Sequence, residues 1–251
     1  MTHQAPDRSP LYARVESALG DRIEAGTLAP GDRLPSEDEL VAAFAVSRTT
    51  VRSAIHSLIQ RGLVEIRRGV GTFVVTPKIT QELTNLTGFV EDMEALGRQA
   101  TAKLLDQRAV PADPTVARHL MMTQGTPVTR IQRVRLADGM PLSYDETFLP
   151  SDLGEKIVAD DLETEPIFAL LERKYKTPLI EAEYQLQAIV ANELVAEALD
   201  VPTGSPIFLI ERTSYAFGGR AVDYERLHYR GDKIKFVTKL LRKSSRPRSD
   251  S

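Results

Sequence analysis

Residues 34–75 read LPSEDELVAAFAVSRTTVRSAIHSLIQRGLVEIRRGVGTFVV, and the punctuation of this stretch decides the fold around it. Ser36 stands before the apolar Leu40, Val41 and Phe44. Glu39 follows it by three, the spacing at which hydroxyl and carboxylate each satisfy an orphan backbone N–H in a capping box. Ser47 caps the next helix, with Val51, Ala54, Ile55, Leu58 and Ile59 as its apolar stripe and Gly62 as its stop. Leu63–Ile66 and Thr72–Val75 then read as two short strands around Arg67-Arg68-Gly69-Val70-Gly71, whose glycines suit a hairpin tip. Upstream, Leu11, Val15, Ala18, Leu19 and Ile23 recur at helical spacing, and Gly26, Pro30 and Gly31 end that helix. Three helices and a β-hairpin make a winged helix-turn-helix over residues 1–76.

Such a unit meets DNA through charge, and the chain as a whole carries a formal charge of -3. Phosphate neutralisation depends on local clusters of Lys and Arg. Between Ser47 and Val75 the five arginines 48, 52, 61, 67 and 68 face one acid, Glu65. Ser47, Thr49 and Thr50 offer short hydroxyls to phosphate, and Arg48 and Arg52, on one helical face, offer forked guanidinium groups to guanine O6 and N7. Two arginines alone would more readily describe a solvated helix face; the capped helix before them and the Arg-Arg-Gly wing after them favour DNA.

The rest of this 251-residue chain has room for a second domain. Residues 77–85 are polar and lack a strong period, as in a linker. Strand-like runs follow at 102–110, 128–136, 142–148, 180–190, 207–216 and 222–229, with helical segments at 88–96, 115–121, 165–175 and 193–199. Asp138-Gly139 and Gly218-Gly219 are hairpin turns, so neighbouring strands pair antiparallel. The expected class is α+β, with the second domain over 86–241 and a disordered tail over 242–251, where arginines alternate with serines and prolines. The chain has no cysteine, which excludes disulfides and thiolate chemistry. Neither a secretory signal in Met1–Pro10 nor a membrane-length apolar run is present, so a cytoplasmic protein is expected, without membrane, metal or cofactor.

Together, Leu34-Pro35-Ser36-Glu37, Ser47-Arg48-Thr49-Thr50-Val51-Arg52 and Gly69-Val70-Gly71-Thr72-Phe73-Val74 resemble the DNA-reading head of GntR-type regulators. The resemblance implies a DNA-contact set of Ser36, Ser47, Arg48, Thr49, Thr50, Arg52, Arg67, Arg68, Gly69 and Gly71, with the wing in the minor groove. Many relatives place an arginine after the Ser-Glu pair; this chain has Asp38. Leu86-Thr87-Gly88-Phe89, Arg133–Gly139, Tyr144–Pro150 and His228–Asp232 resemble the sensing (UTRA) domain of the HutC branch, which shares the chorismate lyase fold with its largely antiparallel sheet.

Arg133 and Arg135 lie two apart on a strand and share a face, with Asp145 or Glu146 within reach on the adjoining strand. The pair suits phosphate or carboxylate, and a surface cross-strand ion pair is the alternative. Thr87 and the N–H groups of Gly88 and Phe89 would add donors. Asp223, Tyr224 and Tyr229 resemble the far wall of such a pocket, or pack the sheet. The helix start Glu165-Pro166-Ile167-Phe168 lacks the serine and tyrosine hydroxyls of sugar-phosphate sensors, which gives an organic acid equal standing with a sugar phosphate.

The expected protein is therefore a homodimeric repressor that binds a palindromic operator on double-stranded DNA and responds to a small anionic metabolite. The two rivals are an enzyme of the chorismate lyase type and an architectural DNA binder without an effector. His3, His56, His119 and His228 are scattered, and no nucleophile-base pair stands out, so no catalytic residue is expected.

Overall fold

A computed structural model describes residues 10–83 and 86–240, which fall into two compact units, Met1–Ile79 and Thr80–Ser251. The expected tail over 242–251, His3 and residues 84 and 85 of the expected linker lie outside the described residues.

In the first unit α1 (Leu11–Glu24), α2 (Glu37–Phe44) and α3 (Arg48–Gln60) precede the hairpin β1 (Val64–Arg67) and β2 (Gly71–Val74). Ser36 and Glu39 form the expected capping box, and the Ser47 hydroxyl accepts from the Thr50 N–H at 3.1 Å. Ala45 ends α2 in the left-handed region, φ 51°, and so makes the sharp turn between the two helices. Leu19, Leu40, Val51 and Leu58 are almost wholly buried in one core. Each contributes about 1.5–3 kcal/mol by burial, which holds α3 in place while its polar face stays outside.

The second unit begins within β3 (Ile79–Glu82), which pairs with β10 (Ile234–Val237), and Leu83 N–H donates to Val237 C=O at 2.9 Å. The segment expected as a linker over 77–85 thus contains a short strand. Ile79 and Gln81 are buried while Thr80 and Glu82 are less so, an alternation too short to register among polar residues.

Next come α4 (Phe89–Ala95), β4 (Ala100–Pro111), α5 (Pro114–His119), β5 (Pro127–Ala137), β6 (Met140–Pro150), α6 (Ser151–Ile157) and α7 (Ile167–Ala169), which runs into a wider turn over Leu170–Lys174. The chain continues through β7 (Leu179–Val190), α8 (Glu193–Leu199), β8 (Pro206–Ala216), β9 (Arg220–Arg230) and β10. Six strands form one antiparallel sheet in the order β4-β5-β6-β9-β8-β7. Asp138 and Gly139, φ 51° and 78°, make the tight β5–β6 turn that the Asp-Gly pair predicts.

Helices α6 and α7 cover one face of this sheet, where Leu153, Ile157 and Leu171 meet Ile131, Leu149 and Val222. On the other face α5 packs on Val128, Phe148 and Tyr224, and α8 packs on Val134, Tyr144 and Ile207. Helix α6, absent from the sequence reading, approaches the sheet so closely at Gly154 that a Cβ there would stand 2.1 Å from Thr129 Oγ1.

Candidate functional sites: a basic helix face and a buried arginine cavity

The first turn of α3 presents Arg48, Thr49 and Arg52 to solvent, as its stripe requires. Both arginines already hold carboxylates from α2. Arg48 Nη2 lies 2.5 Å from Asp38 Oδ1, and Arg52 Nε lies 2.9 Å from Glu37 Oε2; Glu37 is partly buried and the other three side chains are exposed. Surface pairs of this kind contribute about 0–1 kcal/mol, so a DNA phosphate or guanine can displace them.

The hydroxyls of Ser36 and Ser47 are occupied as helix caps. Thr50 joins them, its hydroxyl 2.9 Å from that of Ser47. In the wing, Arg67 pairs with Glu65 at 2.9 Å and stacks over Phe73 at 4.4 Å. Arg68 and Gly69 form the exposed tip, and Gly71, φ 145°, lets the Arg33 side chain pass where a Cβ would stand 2.6 Å from its Nε. Sequence reasoning missed Arg33, whose backbone bridges to Phe73. It also assigned no DNA role to His56 or Ser53, which line a shallow groove on α3 with Arg52 and Thr49.

Arg52→Ala is expected to weaken operator binding by about 1–3 kcal/mol and to lower the salt dependence of binding. Fluorescence anisotropy across a salt series measures both, and unchanged affinity would remove Arg52 from the contact set.

In the second unit a small cavity of about 30 Å³ opens on the α6–α7 face of the sheet, lined by Gly88 and Phe89 at the start of α4, by Ile167 and Phe168 of α7, and by strand residues. Side chains two apart on a strand share a face, which places Arg133 and Arg135 of β5, Asp145 of β6, and Glu225, Leu227 and Tyr229 of β9 together. Arg212 of β8 completes the row, opposite Glu225 in register.

Arg133, Arg135, Asp145, Arg212 and Glu225 are each at most 6% exposed. Arg212 and Glu225 form a closed ion pair; Tyr184 OH accepts from Arg212 Nη1 at 3.1 Å and Thr147 OH donates to Glu225 at 2.8 Å. Arg133 and Arg135 form no such ion pair: Arg133 donates to the Leu162 carbonyl at 3.3 Å and Arg135 sits 5.0 Å from the Phe89 ring, and their Nε atoms, like that of Arg212, find no partner among the described residues. Burial, reinforced by the charge of Arg135, pulls Arg133 down to about 9. Two buried guanidinium groups this poorly partnered are costly unless an anion joins them.

The same period removes other candidates. Glu146 points to the opposite face, where it accepts from Gln132 at 3.1 Å. Tyr224 also lies there, stacked on His119 at 4.2 Å, with its hydroxyl donating to Glu211. Asp223 accepts from Ser214 N–H at 3.1 Å without lining the cavity; burial and then the charge of Glu225 push its carboxyl up to about 7. Thr87 donates to Asp92 at 2.6 Å, and the Gly88 N–H is taken by Glu91 at 3.0 Å, so neither supplies the anion donor expected of it. Arg212 and Glu225 were missed, although the parity set by Tyr229 already placed Glu225 on the cavity side.

Comparison with known proteins adds the following. Residues 11–74 match the model of bacterial regulatory proteins of the gntR family, and residues 95–235 match that of the UTRA domain. The chain is 33% identical over 228 residues to the HTH-type transcriptional repressor NagR of Bacillus subtilis, covering 91% of this chain and 93% of that one. It is 29% identical over 225 residues to a histidine utilization repressor of Pseudomonas putida, with 90% of each chain covered. Among solved structures, PhnF from Mycobacterium smegmatis superposes with a TM-score of 0.74 at 30% identity, covering 91% of this chain and all of that one.

Proposed function

The chain belongs to the GntR family of bacterial regulatory proteins and is a DNA-binding transcriptional regulator with a UTRA domain; on that premise we propose that it is a cytoplasmic repressor released from DNA by a small anionic metabolite. The observation that carries the effector half of this reading is the pair Arg133 and Arg135, buried with unpartnered Nε atoms around one carboxylate, Asp145. Residues 1–76 serve as the reading head and 86–241 as the sensor. The set around Arg48, Arg52 and the Arg67–Gly71 wing meets a palindromic operator. Among the described residues no helix is long and apolar enough to cross a membrane.

A palindrome calls for two heads, and the sheet offers a place to pair them. Strand β7 is an edge strand of 12 residues with Ile180, Leu186 and Val190 exposed. An edge of that length left open is a pairing hazard, which a second copy would cover. We assign the homodimer contact to this edge.

Effector binding reaches the head through the start of α4. Gly88 and Phe89 line the cavity, and Thr87 beside them donates to Asp92. Asp92 in turn accepts from Gln81 Nε2 at 2.8 Å, and Gln81 sits on β3, which continues directly into the chain of the head. An effector that shifts Phe89 therefore biases the hold on β3, and the effect on DNA affinity equals its preference between the two arrangements.

The test uses the full chain: select its operator from a random DNA library, then measure affinity with and without a metabolite panel. The expected operator is an inverted repeat, and the expected response is release by an acid. DNA binding indifferent to every metabolite would favour the architectural reading. Asp92→Ala is expected to bind operator and effector nearly as the parent does while the effector-induced loss of DNA affinity shrinks several-fold. An undiminished response would take this route out of the mechanism.

A further inference from the structure

The charge count of the cavity narrows the class of effector. Across its sheet floor the charged residues run Arg133 and Arg135 on β5, Asp145 on β6, Glu225 on β9 and Arg212 on β8. Arg212 and Glu225 neutralise each other in a pair whose remaining bonds go to Tyr184 and Thr147. Asp145 accepts from the Ser143 hydroxyl and stands opposite Arg133 in register, leaving one positive charge uncompensated between Arg133 and Arg135 when the buried Asp223, whose carboxyl is pushed up to about 7, carries its proton.

A carboxylate monoanion brings this space to neutrality. A phosphate monoester, with its second charge, would leave a net negative charge among groups at most 6% exposed, which costs several kcal/mol unless a proton is taken up.

The rest of the lining points the same way. Phe89, Ile167, Phe168 and Leu227 supply apolar surface, and Arg212 lies 4.2 Å over the Phe168 ring, closing that side with a flat wall. A polyhydroxylated body placed there would leave hydroxyls without partners, at about 1–3 kcal/mol each. Pro166 has no donor to offer at the position where α7 starts.

We propose that the effector of this cavity is a monocarboxylate on a flat, apolar body, and that Asp145 is the residue that sets the preference for one negative charge over two. The inference rests on the cavity being the effector site proposed above, and the experiment separates the two.

Full-length protein is titrated calorimetrically at pH 7.5 with phenylacetate and with phenyl phosphate, which share a ring and differ in charge. The expected result is at least tenfold tighter binding of phenylacetate, lost in Arg135→Met. Asp145→Asn, isosteric but uncharged, is expected to narrow or reverse that preference by tenfold or more, with its melting temperature recorded to show that it folds. Tighter binding of phenyl phosphate by the parent, still abolished by Arg135→Met, overturns the monocarboxylate inference and leaves the effector site standing. An unchanged preference in Asp145→Asn overturns the role given to Asp145. Binding of neither probe overturns the inference, and if Arg133→Ala with Arg135→Ala also leaves metabolite release intact, the site reading falls with it.

Discussion

Arg212→Met is expected to destabilise the second unit by about 3–5 kcal/mol, because it strands Glu225 as a buried, unpaired carboxylate. Glu225 is 3% exposed, and apart from Arg212 its named partner is the Thr147 hydroxyl, one neutral donor for a full negative charge. For a domain of this size, a loss on that scale lowers the melting temperature by roughly 10 °C or more. The second substitution carries the argument: Glu225→Gln added to Arg212→Met removes the stranded charge and should return most of the loss. Thermal and urea unfolding of both variants provide the measurement. A single variant within about 1 kcal/mol of the parent, with no recovery in the double, would show that Glu225 discharges its burial by protonation or water entry. The surface pairs Arg48–Asp38 and Arg52–Glu37 have similar geometry and no such weight, since water screens them before and after mutation.

That contrast also explains what could be read from the sequence. The head was legible because its signals are local: Ser36 with Glu39, the stripe from Val51 to Ile59, and the glycines of the wing each act within a few residues. Cavity residues on β5 were legible for the same reason, since Arg133 and Arg135 share a face by strand period alone. The opposing wall depends on which strands are neighbours. Nothing local says that β6 lies beside β9 instead of β7, or that Arg212 faces Glu225 across a register set by the whole sheet.

Parity was the usable signal that went unused: once Tyr229 is placed in the cavity, Leu227 and Glu225 follow and Tyr224 is excluded. Segments that were missed altogether, β3, β10 and α6, are short and stabilised by distant partners, β3 and β10 by each other and α6 by the close Gly154–Thr129 approach. Asp38 shows the converse. Its departure from the family pattern is visible in the sequence, but only the structure shows that it takes hold of Arg48. Under the proposed contact set, operator binding breaks an ion pair as well as making a contact, which would weaken non-specific attraction and favour sites where the guanidinium gains more than it gives up.

Arg133→Ala with Arg135→Ala is expected to abolish the effector response while leaving operator affinity near that of the parent. The arginines supply the positive charge that no protein carboxylate balances, so the anion loses both its Coulombic partner and its donors at once. Loss of two charge-assisted contacts in a buried site reduces effector affinity by a thousandfold or more, on the order of 4 kcal/mol. Asp145 is then left without a cation, and burial, which already raises its pKa, drives it towards the neutral acid. That neutralisation limits the structural damage, and it is why the double variant should still fold where Arg212→Met is marginal. The response is read as the fall in operator affinity on adding effector, below the melting point of the variant. A repressor that remains fully releasable without both arginines would place the effector elsewhere, and the unpartnered Nε atoms of Arg133 and Arg135 would then need another anion to account for them.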